Sequence, residues 1–348
     1  MVNYFTSKQL TVIIVAVAAV FIVFGILTTV IGLNSDSDNS SGGFKPDEKA
    51  KAEYKFDIKS EGVDDEEVAD TTIVSEPLEN DPYQELDDLI GLESVKDEVR
   101  SLANYVKVQK MREDKGLKNP KLSYHLVFTG SPGTGKTTVA RIVARIYKDL
   151  GILKRGHLVE TDRSGLIGKY VGQTAPRVNE MCDSALNGVL FIDEAYALTQ
   201  GGDQDYGDEA VATLLKRMED DRDRLVVIVA GYTAEMKDFI NTNPGLQSRF
   251  NRYINFPDYT ADELYDIFLM YLRKNEYNVS SEGANYIKKQ LQEVVSHKDR
   301  NFGNARYVRN VFEKAIQCHA NRLSQSKANT AEDLTLLKLE DLKRAFGR

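Results

Sequence analysis

Hydrophobic and polar positions follow three regimes along this chain. Residues 10–33, LTVIIVAVAAVFIVFGILTTVIGL, carry no charge. At helical rise such a run is long enough to cross a hydrocarbon core of roughly 30 Å. A secretory signal peptide is the alternative, but its apolar core is usually only about 7–15 residues and ends at a small-x-small site. Here the run continues through Ile31 to Leu33, so the pattern predicts an uncleaved membrane anchor after a short tail at residues 1–9. A buried core helix is the weakest reading, because polar sequence lies at both ends.

Residues 34–82 reverse the pattern. They open with SDSDNSSGG and continue through EGVDDEEVADTT. A stretch this acidic, rich in Ser and Gly and poor in aromatics cannot bury enough apolar surface to offset its ordering entropy. It predicts a mostly disordered tether, with the DDEE run as a solvated spacer in preference to a docking site.

From Tyr83 onward the periodicity is that of a folded protein. ELDDLIGLESVKDEVRSLANYVKVQKMRE has apolar residues at helical spacing, whereas HLVFTG, HLVETD, GVLFIDEA and LVVIVAGY are short apolar runs with helical patterns between them. Strands alternating with helices predict an α/β parallel sheet covered on both faces, over residues 83–257. After Pro257 the strand signals stop. DELYDIFLMYLRKN, EGANYIKKQLQEVV, ARYVRNVFEKAIQCHANRL and LEDLKRAF all read as amphipathic helices, which predicts an all-helical subdomain over residues 258–348. No internal repeat is visible.

Charge refines this picture. The chain has 348 residues and a net charge of -8, but residues 34–82 hold 15 acidic residues against 5 lysines, which leaves the remainder near +2. The folded part therefore has no basic stripe, and nucleic acid is not expected as a partner. Lys8 stands before the apolar run and Lys45, Lys49 and Lys51 after it, so the positive-inside count does not orient the anchor. Only Cys182 and Cys318 occur, without metal-ligand spacing. They read as small, buried or half-buried side chains in a reducing compartment.

The strongest chemical signal is GSPGTGKTT at residues 130–138. Gly130, Gly135, Lys136 and Thr137 fit G-x-x-x-x-G-K-[ST], after a strand and before a helix, as the phosphate-binding loop requires. Pro132, Gly133, Thr134, Gly135 and Thr138 would line the cradle. Glycines let backbone N–H groups converge on phosphate oxygens, and the helix N-terminus adds positive partial charge. Lys136 would reach the β- and γ-phosphates, and the Thr137 hydroxyl would ligate Mg²⁺. A second strand, VLFIDE, ends in two acids. Asp193 would hold the Mg²⁺-bound water and Glu194 would polarise the attacking water. ATP and Mg²⁺ are the expected cofactors.

These motifs stand in order with IGLESVKDEV, GHLVETDRSGLIGKYVGQTAP, LLKRMEDDRDRLVVIVAGY, NPGLQSRFNRYINFPDY and FGNARYVRNVFE. Together, over about residues 86–314, the chain resembles an AAA+ ATPase. More narrowly, it resembles the group containing the red-type Rubisco activase and the stage V sporulation protein K-like ATPases. The resemblance implies ATP hydrolysis, a homo-oligomeric ring (a hexamer in that family) and a protein client. It places Ile90 and Gly91 by the adenine, although a generic turn explains them too. It makes Arg249 an arginine finger for the neighbouring subunit, with Arg252 a second candidate. At least one of these arginines is expected simply to pair with surface acids. Arg306 matches a sensor at the start of a lid helix. Where the wider superfamily has a polar sensor at a strand end, this chain has Gly231 and Tyr232, and Tyr232 is either a sensor or a packing residue.

Lys169, Tyr170, Val171 and Gly172 match the aromatic–hydrophobic–glycine pore loop of translocating members. Tyr170 would grip an extended peptide through apolar contact, and Lys169 would favour acidic or C-terminal segments. TQGGDQDYG at residues 199–207 reads either as a second pore-facing loop or as a flexible surface loop. A P-loop enzyme needs cytosolic ATP, so residues 83–348 are expected in the cytosol. The expectation is a single-pass, membrane-anchored ring ATPase that threads or remodels a client. The alternative is an ATP-dependent switch that docks partners without threading. A client at or near the membrane is expected; Rubisco itself fits that poorly.

Overall fold

The computed structural model describes residues 73–75, 80–120, 123–201, 206–324 and 330–347. All of them belong to one unit that begins at Glu66. The expected anchor at residues 10–33 and nearly all of the expected tether lie outside the described residues. Among the described residues no helix is long and apolar enough to cross a membrane.

Six strands form the main sheet: β1 (Ile73–Ser75), β2 (Leu126–Gly130), β3 (Leu158–Thr161), β4 (Gly188–Ile192), β5 (Leu225–Gly231) and β6 (Tyr253–Phe256). Their order is β1-β3-β4-β5-β2-β6. Strands β3, β4, β5, β2 and β6 pair in parallel, and β1 adds antiparallel at the edge. Every residue of β2, β4 and β5 is buried, as expected of strands covered on both faces. β6 alternates exposed and buried, as an edge strand does. β1 corrects one expectation. Its three residues fall inside the segment read as tether, yet Ile73 pairs with Glu160 and Ser75 with Leu158. Isoleucine and valine favour strands, and pairing here covers the open edge of β3.

Helices cover both faces. One core joins Phe128 and Phe191 to α2 (Glu93–Asp114) and α3 (Lys136–Asp149). The other joins Val127 and Leu190 to α5 (Thr174–Ser184), α6 (Gly207–Asp220) and α7 (Thr233–Asn241). Neighbours Val127 and Phe128 serve opposite cores because successive strand residues face opposite ways. The short α1 (Pro82–Asp87) docks on α3, where buried Arg145 pairs with Glu85 and donates to the Asn80 carbonyl. Two further short helices, α4 (Arg163–Leu166) and α8 (Pro244–Arg249), sit at strand ends.

The C-terminal helices are α9 (Ala261–Lys274), α10 (Ser281–Ser296), α11 (Asn304–Ser324), α12 (Ala331–Thr335) and α13 (Leu339–Ala345). Thr260 and Glu263 close the start of α9 as a reciprocal capping box. One detail departs from an all-helical reading: Asn278–Val279 pair in parallel with Leu336–Leu337, as β7 and β8. Such two-residue runs carry no periodicity that a sequence pattern can register. Leu264, Phe268, Phe312 and Leu342 of these helices continue the core that contains Phe128. The lid thus packs as an extension of the sheet's own hydrophobic layer.

Candidate functional site

β2 lies between β5 and β6, while the chain leaves β2 for β3 on the far side of the sheet. That reversal opens a crevice at the carboxyl ends of the strands, where open α/β sheets bind ligands. A cavity of about 670 Å³ fills it, within the range of small-molecule sites. Leu89, Ile90, Pro132, Gly133, Gly135, Lys136, Thr137, Thr138, Asp193, Glu194, Tyr232 and Arg306 all line it. The lid contributes Ile267, Met270, Tyr271 and Lys274.

The loop after β2 owes its path to glycine. Gly130, Gly133 and Gly135 have φ of +145°, +69° and +94°, values that L side chains rarely adopt. A Cβ on Gly133 would lie 2.2 Å from the Gly303 carbonyl oxygen, so the lid helix α11 begins directly on the loop. Lys136 Nζ donates to the carbonyls of Gly130 and Ser131, each at 2.9 Å. Burial lowers its ammonium below the ordinary lysine value, against the nearby Asp193 carboxylate, which raises it. The lysine thus has backbone partners and no carboxylate, as suits a cation available to phosphate.

β4 delivers the acids. Asp193 Oδ1 accepts the Glu194 N–H at 3.0 Å, and Glu194 has φ of +48°. This left-handed, non-glycine geometry leaves the Glu194 carboxylate exposed in the crevice. β5 separates β4 from β2; it ends at Gly231, and Tyr232 follows directly, between the loop and the acids. The donor set fits nucleotide and metal: backbone N–H groups, one ammonium, the Thr137 hydroxyl and two carboxylates, beside an apolar wall of Leu89, Ile90 and Ile267.

Not every expected residue joins the cavity. Gly91 turns behind it, at φ +61°, with the space of its missing side chain taken by Glu263. Thr134 is buried and donates to the Ser131 carbonyl at 2.8 Å, bracing the loop from within. Arg249 and Arg252 lie at the other end of β6, which enters the sheet at Tyr253 beside Val127. Arg249 pairs with Glu219 at 3.3 Å, and Arg252 lies over the Tyr105 ring at 4.8 Å. Neither touches the cavity within one chain. Lys169, Tyr170, Val171 and Gly172 are also apart from it. They form an exposed tip on a hydrogen-bonded stem, in which Gly168 N–H donates to Thr174 Oγ1 and Arg177 to the Ile167 carbonyl. Of residues 199–207, positions 202–205 lie outside the described residues.

Several residues escaped sequence reasoning. Tyr259 lines the cavity and donates to the Thr134 carbonyl at 3.5 Å. Asn304, fully buried at φ +44°, donates to the Pro132 carbonyl at 3.3 Å and to Asp258 Oδ1 at 3.0 Å. Ala305 N–H adds a bond to the Gly133 carbonyl at 3.1 Å. The lid is therefore stitched to the outer side of the phosphate loop. Glu160 stands on β3 beside Thr137 and Arg141. Tyr196 packs over Gly231. FGNAR held a readable signal for Asn304, because asparagine tolerates the left-handed region; the others had none.

A glycine-lysine loop, acids one strand away and a helical lid over both define a P-loop nucleotide hydrolase. Comparison with known proteins narrows the class. Residues 126–258 match the ATPase family associated with various cellular activities (AAA), and residues 260–348 match the AAA lid domain. The chain is 41% identical over 260 residues to stage V sporulation protein K of Bacillus subtilis, covering 74% of this chain and 81% of that protein. It is 42% identical over 258 residues to the chloroplastic ribulose bisphosphate carboxylase/oxygenase activase of Cyanidioschyzon merolae, covering 73% and 87%. The crystal structure of the FIGL-1 AAA domain superposes with a TM-score of 0.56 at 18% identity, over 79% of this chain and 85% of that one; it speaks to fold alone. The chain belongs to the AAA ATPase family, in the group of stage V sporulation protein K and the red-type Rubisco activases, and it is an ATP hydrolase.

Proposed function

We propose that the chain assembles into a ring, hydrolyses Mg²⁺-ATP at sites completed by neighbouring subunits, and uses the cycle to thread or remodel a protein client. Residues 10–33 would tether the ring to a membrane with the ATPase in the cytosol. The observation that carries the reading is the loop tip: Tyr170 is 69% and Val171 82% exposed. A monomer gains nothing from displaying two large apolar side chains on a braced stem. A ring that turns them onto a peptide does. Arg249 supports the same reading, because it lies too far round the sheet to serve its own phosphate site. Thr137 and Asp193 would hold the metal, and Glu194 would orient water.

The test is the ATPase rate per subunit of the full chain across protein concentration. The rate is expected to climb with concentration, and Arg249→Ala is expected to remove the climb, lowering the plateau by roughly 10³-fold. Tyr170→Ala is expected to leave the assembled ATPase within a few-fold while abolishing ATP-driven unfolding of a client. A flat rate that is indifferent to Arg249→Ala would overturn the ring. A Tyr170→Ala ring that still remodels would overturn threading.

A further inference from the structure

Glu160 carries no role in the site described so far, yet it sits at the site's base. It stands on β3, whose Glu160 pairs in register with Phe191 of β4, two residues before Asp193. Its side chain is only 22% exposed. Oε2 accepts from Arg141 Nη2 at 3.1 Å, and Oε1 lies 3.5 Å from Thr137 Oγ1. Thr137 and Arg141 are one helical turn apart on α3, so they present the hydroxyl and the guanidinium to one carboxylate.

Ion pairing alone does not explain this placement. Arg141 is 43% exposed, and pairs with such a partner are worth about 0–1 kcal/mol. An apolar residue, like Val159 beside it, would fill a largely buried strand position without the desolvation cost of a carboxylate. The hydroxyl supplies the missing reason. Threonine has one hydrogen and two lone pairs. When a lone pair of Thr137 faces a cation, its hydrogen must turn to an acceptor on the other side, and Glu160 Oε1 is there.

We propose that Glu160 is a positioning residue for the divalent cation. It accepts the Thr137 hydroxyl proton, directs the oxygen lone pair at the metal and adds a second negative charge beside Asp193, with Arg141 as its counter-charge. This rests on the Mg²⁺-dependent reading above.

The experiment is binding, without turnover. A fluorescent ATP analogue is titrated onto the full chain, first in EDTA and then across Mg²⁺ concentrations, for the unaltered protein, Glu160→Ala, Glu160→Gln and Arg141→Met. Outer-shell partners typically carry about 10–100-fold in metal affinity. Glu160→Ala is therefore expected to raise the half-saturating Mg²⁺ by about tenfold, at the low end of that range. Glu160→Gln, which keeps an acceptor oxygen and loses the charge, should move it less. Affinity in EDTA should stay within about twofold, since outer-shell effects act through the metal. Arg141→Met should not raise the half-point. The proposal is overturned if Glu160→Ala leaves the Mg²⁺ half-point unchanged, if it weakens EDTA binding equally, or if Arg141→Met mimics it. Should Glu160→Ala fail to fold, Glu160→Gln decides alone: an unchanged half-point then overturns the proposal. If the unaltered chain shows no Mg²⁺ dependence, the metal reading itself falls, a distinct result.

Discussion

The Tyr196 ring occupies the space that any side chain at Gly231 would need: a Cβ on Gly231 would lie 2.7 Å from it. Tyr196 belongs to the 3-10 turn Ala195–Thr199, which follows Glu194 directly. Its ring centroid is 6.2 Å from that of Tyr232. Burial, and then the charge of Glu194, pushes its hydroxyl up to about 12, so it remains a neutral donor at any working pH. The glycine at the end of β5 is thus complementary to a tyrosine from β4's turn. A side chain at Gly231 and this tyrosine in its present place compete for one space. Gly231→Ala is expected to displace the ring, cost about 1–3 kcal/mol by overpacking, and lower kcat by roughly tenfold as Glu194 shifts by a fraction of an ångström. Combined with Tyr196→Ala, the loss in Tm should be smaller than the sum of the two single losses, because the two residues share one space. Additive losses in Tm would refute the steric account.

A second glycine tests how the lid is held. Gly133→Ala would drive a Cβ to 2.2 Å from the Gly303 carbonyl at a φ of +69°. The lid or the loop must yield, and with it the bonds from Asn304 and Ala305. Nucleotide affinity is expected to fall by tenfold or more, roughly 1.4 kcal/mol or above, measured by calorimetry. Gly172 is the control, with φ of +80° and nothing within 4 Å of the point where a methyl group would stand. Gly172→Ala should cost about 1–2 kcal/mol of backbone strain at most and leave nucleotide affinity unchanged. Equal losses at both glycines would show that strain, and not the lid contact, governs binding.

What was legible in the sequence was whatever a single segment specifies. The loop glycines, Lys136 and the pair Asp193–Glu194 lie on contiguous motifs, and strand–turn–helix context fixed where they point. Arg306 and Tyr232, which came through resemblance, also reach the cavity. The rest depends on segments far apart in the chain. Glu160 matters through Thr137 and Arg141, and Tyr196 through Gly231. No window of residues contains both members of either relationship. Arg249 and Arg252 show the converse: close in sequence, they make an ion pair and a cation–aromatic contact respectively. β1 was hidden for a third reason. Three residues inside an acidic segment acquire strand geometry only because β3 offers an edge.

His125 sets the response to acid. It stands just before β2, buried at 4% exposure, and its Nδ1 accepts the N–H of Val227 on β5 at 2.9 Å. Burial pushes the imidazole down to about 4; the Arg249 charge adds to this, and the Met218 carbonyl opposes it. The unfolded chain takes up this proton near the ordinary histidine value of about 6.5. Between those two values the unfolded state binds more protons than the folded one, so stability rises with pH and is lost as pH falls. The slope from this residue reaches about 1.4 kcal/mol per pH unit, and the whole window is worth about 3 kcal/mol. Asp221 and Asp258, both held below the usual aspartate value, lose their contribution only at lower pH. The two effects therefore separate. In urea denaturation from pH 7.5 to 4.5, His125→Asn should be less stable than the unaltered chain at pH 7.5. The gap should narrow as pH falls, because the variant has no imidazole to protonate on unfolding. Parallel curves would show that this imidazole does not carry the acid sensitivity, and a gap that widens would mean that the imidazole is charged in the folded protein.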